Sequence, residues 1–164
     1  MNTQETLCSQ EPTFLPLESE DGPLLQAIYD RTPRLEDLFE TVGAADAQST
    51  YMALPEGLSF DNKYLVGAWV DGELAGAADV ITSYPTPENA TCGLLLIDVG
   101  QRGKGVGTAL LAHVEEVVRQ RGARTLTMLV QCRNILGGEF LSRRRYAQVD
   151  DNLGRVIPYR KPLI

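Results

Sequence analysis

Residues 94–121, LLLIDVGQRGKGVGTALLAHVEEVVRQR, restrict what this chain can fold into more than any other stretch. An unbroken apolar run at 94–97 reads as a buried strand. A turn over 102–107 follows, and a helical pattern over 108–121 comes after it. Leu110, Val114, Val117 and Val118 recur at helical spacing and predict the buried stripe. The order sets a bare turn and a helix N-terminus at the end of a buried strand. A helix start leaves N–H groups unpaired and carries roughly half a positive charge, so it attracts anions. Gly103, Gly105 and Gly107 remove side chains where an anion would approach the backbone. Arg102 and Lys104 add positive charge, and Val106 and Thr108 complete the turn. The stretch reads as a pyrophosphate cradle.

Two common phosphate motifs fail here. A P-loop with Gly103-Lys104 as its G-K pair would need its first glycine at Asp98 and a hydroxyl at Gly105. A dinucleotide fingerprint would need glycine at Thr108 or Leu110, and no βαβ opening precedes the turn.

The spacing of Arg102, Gly105 and Gly107 resembles the signature of the GNAT superfamily of acyl-CoA-dependent N-acyltransferases. Asn134, Phe140 and Tyr146 are similar to that family's later segment, with two departures. Leu141 stands where the family commonly has tyrosine, and Arg145 where it has glycine before a closing aromatic. The likeness runs from about Tyr64 to the end and is looser before that. It implies an α/β (α+β) fold, with a mixed central sheet of about six to seven strands, splayed at its middle, and about four flanking helices. It implies acetyl-CoA as cosubstrate, its pyrophosphate on the glycine turn. The backbone of Ile97 and Val99, and the Asn134 side chain, would hold the pantetheine arm. Asn134 as a plain helix cap is the alternative. A homodimer is compatible with the resemblance.

Residues 1–12 read as a mobile tail and 13–164 as one domain, a length that suits a sizeable core. The net charge of −7 argues against nucleic acid or an anionic membrane as partner. It suits a cationic amine substrate, or simply solubility. Cys8, Cys92 and Cys132 show no metal spacing, so no metal is expected. Reduced thiols and a polar start without an apolar leader suggest a cytoplasmic protein.

Asp21-Gly22-Pro23 predicts one helix start and Thr32-Pro33 a second, with Leu35, Leu38, Phe39 and Val42 at helical spacing and Gly43 as the stop. In the family these helices roof the acceptor site, where Tyr29, Asp30, Arg31 and Asp37 are candidates for substrate contact. Residues 44–61 read as irregular. Asp71-Gly72 predicts a two-residue hairpin between strands 63–70 and 73–82. Asp79 falls among small apolar residues, as either a paired structural carboxylate or a tuned acid/base. His113 reads as a helix-surface residue, and Glu115 and Arg119 as an i,i+4 pair. Arg143, Arg144 and Arg145 read as a solvated cluster or as partners of the adenosine phosphates.

The implied reaction is direct acyl transfer from a thioester to the primary amine of a small molecule or peptide. A base or water must take the amine's proton, an N–H near Val99 would serve the carbonyl oxygen, and the thiolate needs a proton. Leucine at 141 cannot donate one. Ser142, Tyr146, Tyr84 or water are the substitutes as acid. Asp79 or Asp98 is the nearest substitute for the glutamate that many family members keep as base. The alternative function is an acyl-CoA-binding sensor that kept the cradle and lost its acid.

Overall fold

The computed structural model describes residues 11–32, 46–149 and 154–164. The expected tail lies outside the described residues except for Glu11 and Pro12, and so do the second helix expected after Thr32 and Asp37. Seven strands form one sheet: β1 (Thr13–Pro16), β2 (Lys63–Val70), β3 (Glu73–Thr82), β4 (Asn89–Ile97), β5 (Thr125–Gln131), β6 (Ala147–Gln148) and β7 (Val156–Pro162). Their order is β1-β2-β3-β4-β5-β7-β6, and only β4 and β5 run parallel. Four α-helices accompany it among the described residues: α1 (Gly22–Arg31), α2 (Ala47–Met52), α3 (Val106–Gln120) and α4 (Ile135–Ser142).

The β2–β3 hairpin turns where its residues allow it. Asp71 and Gly72 both hold positive φ, 51° and 77°, as a tight turn matching strand twist requires. Residues 44–61 are less irregular than expected, because Asp46 caps α2 by accepting the Ser49 N–H at 2.7 Å. The cap was present in the sequence, but a helix of six residues shows too little periodicity to announce itself.

α3 starts at Val106, earlier than its periodicity indicates, and its buried stripe includes Leu111, whereas Val117 is only half-buried. With Leu110, Val114 and Val118 it covers one face of the sheet, against Ala78, Val80, Leu126, Met128 and Val130. α1 covers the other face with Leu25, Ile28 and Tyr29, against Leu65, Ala77, Leu94 and Leu96. Each such side chain, fully buried, contributes about 1.5–3 kcal/mol. The Glu115–Arg119 pairing does not form. Arg119 pairs with Glu116, and Glu115 instead holds Lys161 of β7 at 2.7 Å. His113 is tied down: its Nε2 is 2.7 Å from the Tyr64 hydroxyl and its ring stacks on Phe14.

The feature that positions the site is the parting of β4 from β5. They pair from Asn89↔Thr125 to Cys92↔Met128, and then each continues without the other. α4 descends from the far arm of this opening. Its two glycines, which lower helix propensity, are there for space. A Cβ on Gly138 would sit 2.6 Å from the Tyr159 hydroxyl, and one on Gly137 would overlap the Asn134 side chain.

The two departures from the family pattern have physical explanations here. Leu141 is fully buried in the α3-side core. Leu141→Ala should therefore cost about 2–5 kcal/mol of stability; a urea midpoint equal to that of the parent would contradict this. Arg145 holds φ at 70°, the left-handed conformation that glycine adopts freely. Arg145→Gly should raise stability by up to about 1 kcal/mol, since relief of strain at positive φ is partly offset by the unfolded chain's extra freedom. A thermal midpoint that falls in that variant would show that the arginine side chain outweighs the strain.

Candidate active site

A cleft of about 620 Å³ opens between the start of α3 and the start of α4. Its floor is the unpaired end of β4. The Asp98 N–H donates to the Ala75 carbonyl, so residues 94, 96 and 98 face β3 with their hydrogen-bonding groups. In an antiparallel pair these groups alternate sides, so those of Leu95 and Ile97 turn toward the space β5 has left. The Ile97 carbonyl is already engaged by Arg102 Nε, at 3.2 Å.

The cradle lies at the mouth. Gly103 and Gly105 hold positive φ, 77° and 83°, and a Cβ on either would meet nothing within 4 Å. A side chain there would project into open space at the cleft. The first helical amide bonded to a preceding carbonyl is that of Ala109, to Gly105. The N–H groups of Val106, Gly107 and Thr108 therefore find no carbonyl among the described residues.

The opposing wall is α4. Asn134 is buried, caps α4 by accepting the Gly137 N–H at 2.9 Å, and also lines the cleft. Contact with the cleft and capping, set apart as alternatives from sequence, coincide in one side chain. Arg144 lies over the Phe140 ring, 3.6 Å from its centre. It donates to the Phe140 carbonyl and to the Thr108 hydroxyl, tying α4 to α3. Burial and the nearby Arg143 lower its affinity for a proton.

Of the residues singled out for the cofactor, Ile97, Arg102, Gly103, Gly105, Gly107, Thr108 and Asn134 line this cleft. Val99 does not. It lies in a single 3₁₀ turn, exposed, after the strand has ended. Lys104 is exposed and is not part of the lining, and the Val106 side chain packs into the core. Leu95, Gln101, Arg133, Leu136, Phe140 and Arg144 line the cleft without having been singled out as cofactor residues, apart from the basic cluster at 143–145. A glycine signature locates the anion site, but only the fold brings α4 against it. Among the described residues of the lining, Arg102, Arg133 and Arg144 are charged and none is acidic. In a chain of net charge −7 this is a local inversion of sign.

The acid–base candidates are dispersed. Ser142 lies on the other side of α4, lining a separate 430 Å³ cavity with Cys132, Glu139 and Tyr159. Tyr146 is buried in the core, its hydroxyl has no hydrogen-bond partner among the described residues, and burial pushes its phenol well above the usual range. Asp79 is buried between β2 and β4, with one oxygen 2.8 Å from Lys63 Nζ and the other without a partner among the described residues. Burial pushes its carboxyl up, and the Lys63 charge only partly offsets that. Asp98 has both oxygens occupied by Arg31. Tyr84 lies in the β3–β4 loop, at the end of β4 remote from the cradle. No Asp, Glu, His, Cys or Tyr lines the cleft among the described residues. Nor do these residues contain a group of three His, Cys, Asp or Glu able to hold a metal. No helix among them is long and apolar enough to cross a membrane.

The arrangement is a mixed sheet parted between β4 and β5, with a glycine turn and free helix amides at the end of β4. The acetyltransferase (GNAT) family profile matches residues 25–135, and the chain belongs to that family. It is 33% identical over 99 residues to streptothricin acetyltransferase of Streptomyces lavendulae, covering 60% of this chain and 49% of that protein. The match thus spans about half the length of this curated relative. Among solved structures it superposes on an acetyltransferase from Thermus thermophilus with a TM-score of 0.77, at 22% identity, covering 94% of this chain and 99% of that one. It also superposes on the PaiA N-acetyltransferase of Thermoplasma acidophilum in complex with coenzyme A. There the TM-score is 0.71 at 16% identity, covering 93% and 99% of the two chains.

Proposed function

We propose that residues 13–164 form one catalytic domain that transfers an acetyl group from acetyl-CoA to a primary amine. The observation that carries the reading is the cleft itself. Free amides and two left-handed glycines lie at its mouth, three arginines line it, and unpaired β4 backbone lies at its floor. That lining fits a long ligand with phosphates at one end and amides along its arm. Bound there, acetyl-CoA supplies the thioester.

The chain's own contributions are mostly geometric. The amides of Val106, Gly107 and Thr108, with Arg102, take the phosphates. Leu95 and Ile97 offer backbone groups to the arm, as one strand offers them to another. An N–H of this pair, rather than of Val99, faces the opening and can receive developing negative charge on the carbonyl oxygen. Asn134 and Phe140 fix the arm from the α4 side. Asp79 with Lys63 is a structural pair in this reading, and Ser142 and Tyr146 stand outside the chemistry. Proton transfers then run through water, and rate comes from holding amine and thioester together.

This has a measurable consequence. kcat/KM should rise with pH until the amine has lost its proton, with no descending limb from an enzymatic acid. A clear bell-shaped profile would mean that a protein acid operates after all.

The streptothricin relative supports a small-molecule amine, and a peptide amine remains within the proposal. The partners proposed are that amine and acetyl-CoA, with a second copy of the chain as a compatible one, in the cytoplasm. The buried Leu141 and the absence of an acid from the described lining favour the second reading, an acyl-CoA-binding sensor. Thiol release from acetyl-CoA across a panel of polyamines, antibiotic amines and peptide N-termini separates the two. Amine-dependent release supports the transferase, and tight binding with no release on any amine supports the sensor.

A further inference from the structure

We propose that Arg31, at the end of α1 on the face away from α3, is a positioning residue for the turn that receives acyl-CoA. The proposal rests on the acyl-CoA reading of the cleft. Arg31 does not line the cleft. Its Nε and Nη2 donate to the two carboxylate oxygens of Asp98 at 3.0 and 2.9 Å. Asp98 is held at every other polar group as well. Its N–H donates to the Ala75 carbonyl of β3 at 2.8 Å, and its carbonyl accepts the Gln101 N–H at 2.8 Å. Residue 98 is therefore clamped between α1, β3 and the 3₁₀ turn Val99–Gln101. On either side of the clamp the chain lines the cleft: Ile97 before it, Gln101, Arg102 and Gly103 after it.

The clamp matters because the segment beyond it is soft. Gly100, Gly103 and Gly105 leave the turn with little intrinsic stiffness. Something outside the turn must set the direction in which it leaves β4. A bidentate guanidinium–carboxylate pair fixes angle as well as distance, which a single point charge does not. The Arg31 side chain is 52% exposed, so the pair adds little to global stability. Its contribution is orientation. An acyl-CoA site on the α3 face is thereby aimed by a helix on the opposite face, the face that the family resemblance assigns to the acceptor.

The test measures acetyl-CoA binding by calorimetry, with thermal midpoints alongside. Arg31→Gln and Asp98→Asn should each weaken binding about tenfold, since small misplacements of a binding turn are costly, while the midpoint stays near the parent's. The double variant should be no weaker than either single one, because both break the same link. Arg31→Lys should recover only part of the affinity, having charge without the fork. Single variants within twofold of the parent, or losses that add in the double variant, would overturn the positioning role. So would a midpoint that falls in step with affinity in all the variants, because the pair would then be merely structural. If the parent chain itself does not bind acetyl-CoA, the cleft reading fails and this proposal with it. If the parent binds and the variants are unchanged, the positioning role alone fails.

Discussion

Gly105→Asp should fold and lose acetyl-CoA binding by at least about a hundredfold, about 2.7 kcal/mol. Gly105 holds φ at 83°, and a Cβ there meets nothing within 4 Å, so the carboxylate has room to project. It would extend beside the free amides at the start of α3, where a phosphate is expected, and place like charge against it. It would also take those amides for itself, as an aspartate at a helix N-terminus does. The left-handed backbone adds strain of about 1–2 kcal/mol, and asparagine, which tolerates this region, is the control for that part. Gly105→Asn should keep most of the affinity if charge is the cause. Calorimetric titration of both variants decides the matter. Undiminished affinity in a folded Gly105→Asp variant would remove the cradle from the site.

The second large effect is expected from Lys63→Met, far from the cleft. Lys63 and Asp79 are 5% and 2% exposed at their side chains and 2.8 Å apart. Removing one partner of a buried pair strands the other charge and should cost about 3–5 kcal/mol, whereas replacing both with apolar residues is often neutral. Lys63→Met/Asp79→Leu should therefore recover most of the loss. The pH dependence has a definite sign. Burial raises the Asp79 carboxyl above its ordinary value, so folding favours the protonated form. That contribution is complete below the ordinary carboxylate pKa of about 3.9 and is lost as pH rises through the folded value. Without the Lys63 charge, which lowers it, the folded value climbs further. The Lys63→Met deficit should accordingly be larger at neutral than at acid pH. Urea melts at several pH values test this, and a single variant as stable as the parent would show that the pair is not structural. Turnover that survives in the double variant would remove Asp79 from the list of candidate bases.

These two experiments fall on either side of the line between what residue order can reveal and what it cannot. The cradle was readable because it is local. The apolar run, the glycines and the amphipathic helix follow one another within 28 residues, and the lack of a side chain at Gly103 and Gly105 permits the left-handed φ found there. The Asp71-Gly72 hairpin was readable for the same reason. Asp79 was not. Its sequence neighbours show that it is surrounded by small apolar residues, but Lys63 reaches it only because β2 and β3 pair in one register.

The chain order thus decided the glycine turn, the helix start beside it and the splayed-sheet family. Those depend on neighbours a few bonds apart, whose allowed dihedrals and exposed amides are properties of the residues themselves. The fold alone decided that Ser142 and Tyr146 stand away from the cleft, that Arg144 closes its wall and that Arg31 grips Asp98. A side chain's partner across the fold is chosen by packing and strand register. These settle direction only after residues distant in the chain have met.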